Sequence, residues 1–308
     1  MKNLFSRFLS NKRKFTFNLL IYLSLVFLIY YLFKLDLVSL KDFHFNTFPL
    51  VLSFIFLLLG FILSAISWKK SLNVHGRDAK LRDVLVSHGL PIFSKYIPGK
   101  LWTIIGRAGL IRKKINLSIG ELTIISLKEQ LTFIWSGLII GLWLAFEILK
   151  PLEWTVYVIF ILFLSLFLFN KYVHQTFLKI SNKLIHKNLD IPYINIKNFF
   201  PVILTCITYW FCWTLGYYFF VNSIIETNIP IYTGTIFPLS AVIGLVAIFI
   251  PGGIGVREGI MVLGLMSIGI NADIAAGIAI LSRVWFLTGE IFIFVLAIFL
   301  KRNKIKPA

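Results

Sequence analysis

Residues Pro251 to Gly259 read P-G-G-I-G-V-R-E-G inside an otherwise apolar stretch, Ile236–Ile270. Proline has no backbone donor and glycine carries the largest backbone entropy cost, so Pro251, Gly252 and Gly253 break any helix that reaches them. In hydrocarbon, broken backbone persists only where protein covers it or a watery cavity meets it. Arg257 and Glu258 follow at once, two ionisable groups that are costly at membrane depth. A broken helix with charges at the break is the sequence sign of a binding site near the bilayer midplane.

The surrounding sequence makes a membrane setting necessary. Further apolar segments run Phe15–Phe33, Phe48–Trp68, Ile119–Phe146, Trp154–Phe169, Phe199–Val221 and Asp273–Leu300. Each can cross about 30 Å of hydrocarbon. With 58% hydrophobic and 14% charged residues and a mean hydropathy of +0.86, the chain reads as an all-α, polytopic transmembrane bundle. Lys12, Arg13 and Lys14 precede the first segment as in a signal peptide. That segment is too long for an h-region, however, and lacks a small-residue cleavage site, so it reads as an uncleaved span. The net charge of +18 fits the positive-inside rule and anionic headgroups rather than nucleic acid. Cys206 and Cys212 lack metal or disulfide spacing, and the five histidines are dispersed, so neither a metal nor a cofactor is expected.

Loop charge sets the expected topology. Basic residues cluster before the first span, after the second, before the third, after the fourth and at the end of the chain, while the opposite loops are poor in them. Both termini are therefore expected in the cytoplasm. This parity holds only if Val84–Leu110, interrupted by Pro91 and Pro98-Gly99, enters and leaves on one side, and Ile236–Ile270 does so on the other. About six full spans and two re-entrant helical hairpins result. Residues 1–150 and 151–300 then read as inverted halves of one membrane domain, with 301–308 as a cytoplasmic tail. Two complete spans in place of the second hairpin are the alternative, as are ordinary proline kinks in place of both breaks. Lys171–Leu189, with Val173, Phe177, Ile180 and Leu184 on one face, is expected to lie in the headgroup plane. The tryptophans, among them Trp68, Trp210 and Trp213, are expected at the membrane interfaces.

The candidate chemistry is ionic. Arg283 and Glu290 are seven residues apart within the last span, about 10 Å along one helical face. Glu129 lies inside the third span, Lys100 and Arg107 in the first hairpin, and Arg257 and Glu258 in the second. Together they form a mainly cationic polar core suited to a phosphate or another anion. Lys95 either joins that core or snorkels to the interface. The competing reading is that the acidic residues and Arg283 merely pair with one another to hold spans together.

The motifs K-Y-I-P-G-K-L-W at Lys95–Trp102, Gly106-Arg107, and P-G-G-I-G-V-R-E-G at Pro251–Gly259 resemble those of the flippase-like membrane domain family. That family is related to the transmembrane region of lysylphosphatidylglycerol synthetases. The resemblance covers essentially the whole chain and implies a protein that moves an anionic or modified phospholipid, or a lipid-linked glycan, between leaflets. Only eight residues follow the last apolar segment, so the aminoacyl-transfer domain of the synthetases is not expected, and neither is enzymatic activity. No G-x-x-x-x-G-K-[ST] motif provides for ATP. Two other readings stand beside translocation. One is a polyprenyl-phosphate-dependent glycosyltransferase using Asp36 or Asp42. The other is an accessory subunit docked on a lipid or glycan synthase.

Overall fold

A computed structural model describes residues 44–96, 101–185, 191–247, 253 and 255–302. The expected span Phe15–Phe33, the carboxylates Asp36 and Asp42, and the candidates Pro98, Gly99, Lys100, Pro251 and Gly252 lie outside the described residues.

The described chain is helical throughout. Its helices are α1 (Thr47–Val74), α2 (Leu81–Gly89), α3 (Trp102–Ile115), α4 (Ile119–Ile140), α5 (Leu142–Ile148), α6 (Pro151–Phe169), α7 (Lys171–Ile185), α8 (Ile196–Asn222), α9 (Ile236–Val246), α10 (Val256–Ser267) and α11 (Ala272–Arg302). Four of them, α1, α6, α8 and α11, are long and apolar enough to cross a membrane. A fifth crossing forms if α4 and α5, bent by 58° at Gly141, count as one span. These five units coincide with five of the six apolar segments. Their outer surface carries large apolar side chains facing outward, including Phe48, Leu152, Phe163 and Phe211. Water would not tolerate such a belt, whereas hydrocarbon is its natural solvent.

Two pairs of short helices interrupt the spans. In the first, α2 leads through a 3-10 turn, Ile92–Tyr96, towards α3. In the second, a 3-10 turn at Ile231–Thr235 opens α9, and α10 folds back against it. With 9, 14, 11 and 12 residues, these helices span roughly 13–21 Å each at 1.5 Å per residue. None is long enough for a full crossing. The first pair packs through α2 on α1 and α11, the second through α10 on α11 and α9 on α4. Helix α11 thus touches both hairpins.

The core is aromatic. Trp210 and Trp213 of α8, Phe237 of α9, and Trp285 and Phe286 of α11 meet in edge and tilted contacts, with Phe237 5.4 Å from Trp285 and 5.1 Å from Phe286. Trp68, Trp210 and Trp213 are therefore interior residues, not the interface anchors expected from their type. Their indole N–H groups find partners inside: Trp210 donates to Phe133 O at 2.9 Å and Trp213 to Leu57 O at 3.2 Å. A tryptophan so satisfied loses nothing by leaving the interface. Gly137 makes room for this cluster, because a Cβ there would stand 2.7 Å from both Trp210 and Val242.

Candidate functional site

The second hairpin turns where its sequence permits. Gly253 has φ +65°, and a Cβ there would lie 2.5 Å from Gly244 O. Only glycine meets both the backbone angle and this close approach of α9. Gly255, with φ +83°, starts α10. Its N–H donates to Glu258 Oε2 at 2.7 Å, so the carboxylate closes the helix N-terminus and complements its dipole. This geometry aims Arg257 and Glu258 at α11.

Arg283 of α11 meets Glu258 side-on. Nε bonds Oε1, and Nη2 bonds Oε2 at 3.0 Å, giving a two-point pair. Seven residues further on, Glu290 is fully buried. It takes the Lys95 ammonium on Oε1 and the Tyr96 hydroxyl on Oε2 at 3.0 Å. Lys95 and Tyr96 end the 3-10 turn of the first hairpin. Both hairpins therefore anchor on the central turns of α11. Phe286 stands where they meet, its ring 5.0 Å from Lys95 Nζ and 5.4 Å from Arg257 Cζ.

Arg257 is the exception in this cluster. Its guanidinium lies over the rings of Phe237, at 5.1 Å, and Phe286. Its Nε and Nη2 are buried and have no hydrogen-bond partner among the described residues. Those two nitrogens form the edge with which arginine grips a phosphate or carboxylate at two points. A buried donor pair left open is costly, and the aromatic faces compensate only the charge.

Arg107 and Glu129 sit apart from this cluster. Arg107 Nη2 is 2.6 Å from Glu129 Oε2 and donates to Ser126 O at 2.6 Å, and its Nε donates to Ser126 Oγ. Its guanidinium stands 4.5 Å over Trp68. Glu129 also accepts from Ser67 Oγ at 3.1 Å. These partners tie α3, α4 and α1 together and are shared with none of the residues around α11. Of the sequence candidates, Arg257, Glu258, Arg283 and Glu290 thus converge, while Arg107 and Glu129 satisfy one another.

Lys95, Tyr96 and Phe286 complete the cluster, and sequence reasoning had left them open or unremarked. The available signal was Glu290 itself: a carboxylate at mid-span requires a partner, and Lys95 is the nearest cation before the first break. No group of three or more histidine, cysteine, aspartate or glutamate side chains suited to a metal occurs among the described residues.

No curated protein sequence significantly matches the chain. Residues 15–296, most of the chain, match the family described as the lysylphosphatidylglycerol synthase TM region. That match spans both hairpins and every described helix up to the last turns of α11, and by it the chain belongs to the family of lysylphosphatidylglycerol synthase transmembrane regions.

Proposed function

We propose that the protein is a lipid translocase that holds the phosphate of an anionic phospholipid headgroup on Arg257 while the headgroup passes between leaflets. The observation that carries this reading is the open Nε–Nη2 edge of Arg257, buried between two hairpins and lacking an acceptor among the described residues. A phosphodiester supplies two oxygens at the required spacing and one negative charge. Arg283 stands beside it, with Glu258 and Glu290 holding the cationic side chains in place. The acyl chains stay in the bilayer, whose side the exposed apolar belt already faces. In this reading the hairpins dip from opposite faces of a bacterial or archaeal cell membrane, both termini are cytoplasmic, and residues 1–150 and 151–300 are inverted halves. Membership in a family named for a phospholipid synthase supports a lipid ligand.

The test is leaflet exchange in proteoliposomes carrying fluorescent phosphatidylglycerol or phosphatidylcholine. The wild-type chain is expected to accelerate exchange of the anionic lipid, and Arg257→Ala and Arg283→Ala are expected to lose that acceleration. Wild-type exchange rates in both variants would sink the reading.

A further inference from the structure

Away from α11, a small cavity lies where the end of α1, the middle of α4 and the segment around Ile191 meet beneath α7. It offers about 20 Å³, room for a single water-sized sphere. Its lining is apolar except for three residues, His75, Lys128 and His174, all of them basic. Both histidines are nine-tenths buried. His75 Nδ1 lies 2.7 Å from Ser71 O and so carries the proton donated there. Its Nε2 is buried with no partner. His174 Nε2 lies 3.1 Å from Ile191 O and donates to it. The Lys128 ammonium stands 4.4 Å over Phe199 and 5.8 Å over Tyr193. The three ion pairs among the described residues use other cations, so no carboxylate among the described residues pairs with Lys128.

Lys128 is half-buried, and its ammonium lines an apolar wall with no counter-charge among the described residues, an arrangement that favours a nearby anion. A water molecule in the cavity would solvate it but not neutralise it. We infer that this cavity binds a small monovalent anion of halide size, held by the Lys128 ammonium and by His75, which takes a proton from solvent on Nε2 as the anion enters. The imidazolium then donates Nδ1–H to Ser71 O and Nε2–H to the anion, so both ring nitrogens are satisfied. Among the described residues, the ionisable groups facing His75 are Lys128 from α4 and His174 from α7. Neither can offset a proton on it, and the anion does.

The test uses the purified full-length chain in nonionic detergent, with unfolding followed by tryptophan fluorescence. Sodium chloride is exchanged for sodium gluconate at constant ionic strength. The unfolding midpoint is expected to rise saturably with chloride, as for any ligand that binds only the folded state, and to rise more at pH 6 than at pH 8. Lys128→Met is expected to abolish the chloride dependence. Bromide-soaked crystals of the wild-type chain give a readout that no folding defect can confuse: an anomalous peak between Lys128 and His75. Superimposable chloride and gluconate curves, a chloride effect that survives Lys128→Met, or a cavity that holds water alone would each overturn the inference.

Discussion

Arg283 and Glu290 stand two turns apart on α11, yet they pair with opposite hairpins: Arg283 holds Glu258 of the second, and Glu290 holds Lys95 of the first. A single helix therefore pairs with both hairpins through ions of opposite sign. The segment from Arg283 to Glu290 links the two pairs and contains Phe286, the ring that both Lys95 and Arg257 approach.

Breaking one of these pairs from one side should be costly. Arg283→Met leaves Glu258 half-buried and without its two-point partner, and such losses run to about 3–5 kcal/mol. The double variant Arg283→Met, Glu258→Gln removes the stranded charge and is expected to recover part of that loss. Thermal unfolding of both chains in detergent, followed by tryptophan fluorescence, measures the difference. A double variant less stable than the single one would mean that the carboxylate has another role in the fold.

Arg257 should behave in the opposite way. Among the described residues it makes no ion pair, and its Nε and Nη2 find no hydrogen-bond partner. Arg257→Ala therefore forfeits only ring contacts worth roughly 0.5–2 kcal/mol. The expected result is an unfolding midpoint much closer to wild type than that of Arg283→Met, together with lost exchange of anionic lipid. Arg257→Lys keeps the charge but not the two-point edge and is not expected to restore exchange.

The spans were legible because hydrophobic length is a one-dimensional signal. Phe199–Val221 reappears inside α8 (Ile196–Asn222) and Asp273–Leu300 inside α11 (Ala272–Arg302), each slightly extended because a helix ends at its cap rather than at its last apolar residue. The ionic residues of the second hairpin and of α11 were legible for a related reason: charge inside an apolar run is conspicuous. Their partners were not, since Lys95 and Glu290 lie 195 residues apart and nothing local links them. Arg107 and Arg257 each follow a Pro-Gly break, and only the packing of α3 on α4 distinguishes the one already paired from the one left open. Trp210 and Trp213 show the same limit. Residue type favours the interface, but helix carbonyls within the bundle accept their N–H groups.

The turn of the second hairpin separates backbone angle from space. Gly253 and Gly255 both have positive φ, but only at Gly253 would a Cβ strike backbone, 2.5 Å from Gly244 O, whereas at Gly255 it would meet nothing within 4 Å. Gly255→Ala is expected to cost about 1–3 kcal/mol from the backbone angles alone, φ 83° and ψ −44°. Gly253→Ala must in addition push α9 away from α10, with a larger drop in the unfolding midpoint and a loss of lipid exchange. Equal effects from the two substitutions would rule out a close approach at Gly253.

The proposed orientation can be tested by labelling. Lys183, at the end of α7, and Glu226, in the loop after α8, are both exposed and lie beyond opposite ends of α8. In intact cells a membrane-impermeant thiol reagent is expected to label Glu226→Cys and not Lys183→Cys, with both labelled after lysis. The native Cys206 and Cys212 are buried and give little background. The reverse pattern would invert the topology and place the basic loops outside.

Stability should depend on pH through His75, just beyond the end of α1. Burial, aided by the nearby Lys128 and His174 cations, pushes its pKa down from 6.5 to about 4, against the raising effect of its bond to Ser71 O. A base whose folded pKa is depressed favours the folded state only while it is neutral. Its contribution is complete above pH 6.5 and is lost as pH falls towards 4, because the unfolded chain takes up the proton first. Each pKa unit corresponds to about 1.36 kcal/mol, so this window carries roughly 3 kcal/mol. In chloride-free buffer the unfolding midpoint of the wild-type chain should therefore fall over this range, and His75→Gln should make the fall shallower. Chloride should do the same to the wild-type chain, since an anion beside Nε2 stabilises the protonated ring in the folded state. A pH profile identical with and without chloride would leave the burial effect on His75 intact while removing the anion from its cavity.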